Sequence, residues 1–207
     1  MPTLKEFRFR DIPWSIPADQ YQEQLLSTLQ YTPENKPEFS TKLCRVYMSS
    51  YCEIQDCGHW RKHSIGENGY VLIWDAPSQG FKIMGLPVYA IAVSAIPEDL
   101  SQKELEKCQA LFAAYVFDTL ALEASEYDRL KTEMTAANGQ PDVEQAGPRR
   151  SFAVWYGAND TYNELYLRND EDGDLADLMI FYGLTNAPAR FEKLYRQMNE
   201  QREKNAL

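Results

Sequence analysis

Residues 52–63 read CEIQDCGHWRKH and hold Cys52, Cys57 and both histidines of the chain, His59 and His63. Two thiols and two imidazoles match the donors of a structural zinc site, in which four Cys or His ligands form a tetrahedron. The C-x4-C and H-x3-H spacings are ones that a turn can close, but a single residue between Cys57 and His59 is tight for two ligands of one metal. If residues 42–55 run as a strand, with Cys44, Val46 and Met48 inward, Cys52 also points to the core, where a thiol acts as a small apolar side chain. A catalytic Cys57–His59 pair is the third option, and it needs the imidazole beside the sulfur and a further group to orient it. The spacing favours a surface loop, so neither a metal nor another cofactor is expected.

Other chemistry finds little purchase. There is no G-x-S-x-G elbow to present a serine nucleophile. Neither G-x-x-x-x-G-K-[ST] nor G-x-G-x-x-G occurs, which removes the usual phosphate cradles. Carboxylates are abundant, with 31 acids against 21 basic residues, but so large a pool singles out no catalytic pair.

The densest negative stretch is RNDEDGDLAD, residues 168–177, with Asp170, Glu171, Asp172, Asp174 and Asp177. Setting Gly173 as the sixth residue of a calcium loop puts Arg168 at its first ligand position and Met179 at its twelfth, and neither can serve. The stretch reads instead as a hairpin turn, with Asp172 and Gly173 supplying the left-handed backbone such turns need. A tip bearing several carboxylates is a natural place to meet lysines and arginines, so these five acids are the expected partner-binding residues.

YGLTNAPARF, residues 182–191, resembles a short segment of retroelement reverse transcriptases that reads roughly F-G-L-x-N-A-P-A-x-F. The Y-x-D-D strand that would carry that family's metal-binding aspartates does not follow it, so no role is carried over. The segment has a local meaning: Asn186 as a helix cap, Pro188 in the first helical turn and Phe191 facing inward.

Around these motifs, KEFRFRDI (5–12) alternates as a strand would, with Phe7 and Phe9 on one face. Pro17 precedes a helix over about 18–31, which places Tyr21, Leu25 and Leu29 on one side. YTPENKPEF (31–39) reads as a loop, and short strands follow at 69–75, 81–85 and 88–96. Ser101 and Glu104 form a capping box that opens a long helix to about 122, apolar on most faces, and a second helical segment spans 125–137. Residues 138–151 have the polar, Gly- and Pro-containing composition of a mobile loop. Strands at 152–157, 161–168 and 177–183 lead to an amphipathic helix over 187–204, with Leu194 and Met198 inward. This order predicts a single α+β domain over 1–207, a mainly antiparallel sheet against a long, largely buried helix, with amphipathic helices near both ends.

The formal charge of −10 opposes direct nucleic-acid binding and attachment to an anionic membrane, and favours a basic protein partner. The start, MPTLKEFRFRD, lacks a signal-peptide apolar stretch, and the longest apolar run, residues 110–117, is too short to span a bilayer. Four cysteines in that setting read as thiols in the cytoplasm. The expectation is a soluble, non-catalytic acidic protein that neutralises or accompanies a basic partner, as immunity proteins and inhibitors do. The alternatives are a structural or assembly subunit of a phage or secretion machine, and an enzyme with its site around residues 52–63.

Overall fold

The computed structural model describes residues 4–29, 40–41, 70–75, 82–98, 105–123 and 125–205. The cysteine–histidine segment 52–63, the strand expected over 42–55, the loop expected over 31–39 and the capping box at Ser101 lie outside the described residues.

The described chain is organised on one antiparallel sheet. Its strands are β1 (Ser40–Thr41), β2 (Tyr70–Asp75), β3 (Lys82–Ile83), β4 (Leu86–Pro97), β5 (Cys108–Phe117), β6 (Val143–Gln145), β7 (Arg150–Tyr156), β8 (Thr161–Asn169) and β9 (Leu175–Leu184). Their spatial order is β1-β2-β4-β5-β9-β8-β7-β6, with β3 folded back on β4. Two antiparallel sets meet where β5 pairs with β9, from Phe112 opposite Gly183 to Val116 opposite Met179. Between them in sequence, the chain leaves β5 through α2 (Ser125–Asn138) and returns by the meander β6-β7-β8-β9.

The long buried helix expected from Ser101 to about 122 is not formed. Residues 105–107 make a single 3-10 turn, and residues 108–117 are the central strand β5. The reason is burial on both faces. Ala113 and Tyr115 face one core while Phe112, Ala114 and Val116 face another, so β5 has no polar face to mark a period of two. An apolar run of this length fits a buried strand as well as a buried helix. A register shift opposite Ser94 and Ala95 re-aims the strand near Leu111.

The first core lies between the sheet, the N-terminal segment, α1 (Ala18–Thr28) and α2. Phe9, Trp14, Tyr21, Leu25, Leu130 and Ile180 are among its buried members. Residues 5–12 do not form the expected strand, although Phe7 and Phe9 are both buried. Arg10 and Asp11 take left-handed backbone, with φ of 54° and 62°. That reversal lets Arg10 donate from Nε to Thr28 Oγ1 and from Nη2 to the Thr28 carbonyl, both at 2.8 Å. The last turn of α1 thus gains a charged donor for its open carbonyl end. The second core joins Phe112, Val116, Tyr166, Met179 and Phe181 to Leu194 of α3 (Ala187–Asn205).

Gly183 makes the central pairing possible. A Cβ there would lie 2.8 Å from both Phe112 Cβ and Tyr162 Cε1, and 2.9 Å from the Leu111 carbonyl oxygen. No side chain fits without moving β5. Gly183→Ala is therefore expected to destabilise the protein by about 1–3 kcal/mol, the usual range for overpacking a core. Urea unfolding of the variant beside wild type measures it, and unchanged stability would contradict the close approach.

Candidate functional site

The acidic run occupies the β8–β9 hairpin, where residues 170–174 form the turn and are all exposed. Gly173 carries a φ of 91°, the left-handed backbone expected there. The Asp170 N–H donates to the Asp174 carbonyl at 2.8 Å, closing the turn. One carboxylate oxygen of Asp170 accepts from the N–H groups of both Asp172 and Asp174, each at 2.9 Å. Asp170 therefore acts inward, on its own turn. Glu171, Asp172 and Asp174 form the outward charge of the tip, and among the described residues no lysine or arginine lies within ion-pairing distance of them.

Asp177 lies elsewhere. It sits in β9 opposite Arg168 of β8, is 3% exposed and forms an ion pair with that arginine. The structure thus separates the five acids into three on the surface, one holding the turn and one in a buried cross-strand pair. Asn169 steadies the hairpin from the side, with its backbone N–H donating to the Arg149 carbonyl and its side-chain amide to that of Pro148.

A second group was not singled out by the sequence. Glu164, in the middle of β8, is fully buried between Val154 of β7 and Phe181 of β9. Tyr162 and Tyr166 flank it on the same face, two residues to either side. Among the described residues, neither carboxylate oxygen has a hydrogen-bond partner. Burial raises its pKa from 4.5 to about 8, and the charge of Arg150 only partly opposes this. Glu164 is thus a neutral acid at pH 7. Its neighbour Asn163 faces the other side, where it donates to the Phe181 carbonyl at 2.8 Å and receives the Asn138 amide of α2 at 3.4 Å. A legible signal existed in TYNELYLR, since Glu164 shares its strand face with two tyrosines. A glutamate within an aromatic face is either at an edge or in a core.

Acid–base catalysis requires the acid to reach a reacting atom, directly or through one water. Glu164 is fully buried, and its clearest chemical consequence is for the stability of the fold. Among the described residues, no three His, Cys, Asp or Glu side chains gather to hold a metal ion, and no helix is long and apolar enough to cross a membrane. Comparison with protein-family models, curated proteins and solved structures gives no match.

The perturbed acid gives the protein a defined pH response. Between pH 4.5 and about 8 the unfolded chain has released the Glu164 proton while the folded chain retains it. The folded state then binds more protons, so stability falls as pH rises through this window and levels off above it. The contribution lost is on the order of 5 kcal/mol at about 1.4 kcal/mol per pH unit. Glu164→Gln is expected to flatten this fall and to be more stable than wild type at alkaline pH. Urea midpoints of both proteins across the window test it, and parallel pH profiles would remove Glu164 as the cause.

Proposed function

We propose that this protein is a non-catalytic binding protein that engages a cation-rich protein partner through the tip of the β8–β9 hairpin. The observation that carries the reading is the outward group of Glu171, Asp172 and Asp174, exposed and without a counter-ion among the described residues, on a turn pinned by Asp170. Three like charges held together repel one another, and a complementary surface of lysines and arginines relieves that repulsion. Because the turn is fixed by its own hydrogen bonds, little ordering is needed on contact. The net charge of −10 adds a long-range attraction that speeds encounter with such a surface. A cytoplasmic setting accords with the reading of the cysteines as thiols, of which Cys108 is buried.

The reading predicts a strongly salt-dependent complex. Affinity capture from the native cell, followed by mass spectrometry, is expected to recover a cationic protein at low ionic strength. The complex should be lost near 1 M salt, where charges are screened beyond ~3 Å. Replacing Glu171, Asp172 and Asp174 together by lysine should weaken capture by at least tenfold while changing stability by under ~0.5 kcal/mol per substitution. Asp170 is kept, because its removal would undo the turn itself. Capture unchanged in the triple variant would sink the assignment of the interface to this tip.

A further inference from the structure

A cleft of about 480 Å³ lies between the end of β4 and one face of α3. From α3 come Arg190, Lys193, Leu194 and Gln197, at the spacing that aligns residues along one side of a helix. Ile96, Pro97 and Leu194 are buried beneath it, and its accessible lining is mostly polar. The volume falls within the range of small-molecule sites.

Arg190 is the group that makes this a site. It is half-buried, and its Nη1 donates to Gln109 Oε1 at 2.6 Å. The amide of Gln109 in turn donates to the Trp14 carbonyl at 2.9 Å, which fixes the orientation of the glutamine. One edge of the guanidinium is therefore clamped from behind. Among the described residues, its Nε and Nη2 donors have no hydrogen-bond partner and no carboxylate lies within ion-pairing distance. Burial disfavours the Arg190 charge, and Glu98 across the cleft compensates only in part at a distance. A planar carboxylate matches the side-on pair of donors that remains. Lys193, exposed on the rim one turn further along, adds a second positive charge.

We propose that this cleft binds a small organic carboxylate, its charged end held by Arg190 and Lys193. The site is independent of the acidic tip. α3 follows the C-terminal end of β9 and the tip precedes its N-terminal end, so a ten-residue strand, roughly 30 Å long, separates them.

Acetate, as a planar carboxylate, and inorganic phosphate, as a tetrahedral anion, are the probes. Amide chemical shifts of the full-length protein, titrated with each, report binding. Acetate is expected to saturate with shifts centred on α3 and the end of β4, and to bind more tightly than phosphate. Arg190→Gln should weaken it by at least tenfold. Lys193→Gln, on the exposed rim and without a part in packing, should weaken it severalfold and keeps the test valid if the Arg190 variant folds poorly. Absence of saturation with acetate, phosphate binding as tightly, or an affinity indifferent to both substitutions would overturn the proposal.

Discussion

The pairing of β5 with β9 is the constraint on which the rest of the structure depends. Without it, the strands around β4 and the β6–β9 meander would be two separate antiparallel sets, each with an open edge. The pairing succeeds because residue size is matched across it. Small residues, Ala113, Ala114 and Gly183, admit close backbone approach, while Phe112, Tyr115 and Phe181 fill the two cores that the shared sheet creates. The rings interlock, with Phe112 and Tyr166 each edge-on to Phe181 at 6.3 Å between centroids. The first core then recruits α1, α2 and the N-terminal segment, and the second recruits α3. Both the acidic tip and the α3 cleft owe their positions to β9, one at each end of it.

How much of this could be read from the amino acids follows from how each element is buried. Strands β7 to β9 were legible because they are short, aromatic and separated by turn residues such as Asp172 and Gly173, whereas β6 (Val143–Gln145) lies within residues 138–151, which read as a mobile loop. The α2 and α3 helices were legible as amphipathic or polar segments, and α1 by its stripe of Tyr21 and Leu25. The β5 strand was not legible, because ALFAAYVF is apolar throughout and contains three alanines, which favour helix when nothing else decides. Only the partner strands decide it, and one of them, β9, lies far away in sequence. Residues 5–12 failed for a different reason: the reward for breaking the alternation is the contact of Arg10 with the end of α1, a tertiary contact that no local pattern announces.

The candidate site divided in the same way. That the acids of 168–177 sit at a hairpin could be inferred from local turn chemistry, since the signal and its cause lie within a few residues. Which of them remain available could not. Asp170 and its donors are close in sequence, but an aspartate that caps a turn and one that faces solvent look alike in composition. Asp177 is withdrawn by a partner across the sheet, and the register that sets Arg168 opposite it emerges only when β8 and β9 are paired. Glu164 and Arg190 were passed over for the converse reason, since an acid within a strand and a cation on a helix are unremarkable until burial is known.

Burial also explains why the acids of this protein do different work. A carboxylate at the tip keeps its charge because water solvates it, and its influence on a partner is long-ranged and screened by salt. Glu164, buried and without a hydrogen-bond partner among the described residues, mostly keeps its proton instead and contributes little charge at neutral pH. The net charge of the folded molecule is consequently less negative than its formula implies, while what remains is concentrated on the surface. Arg190 is the cationic counterpart of the same argument. Half withdrawn from water yet unable to lose its charge in any accessible pH range, it is steadied by Gln109 and, in part, by Glu98, and keeps an open edge of donors that suits an anion. The two proposed contacts, a tip that draws cations from a distance and an arginine that holds an anion directly, are therefore distinguishable by salt, because screening acts strongly on the first and weakly on the second.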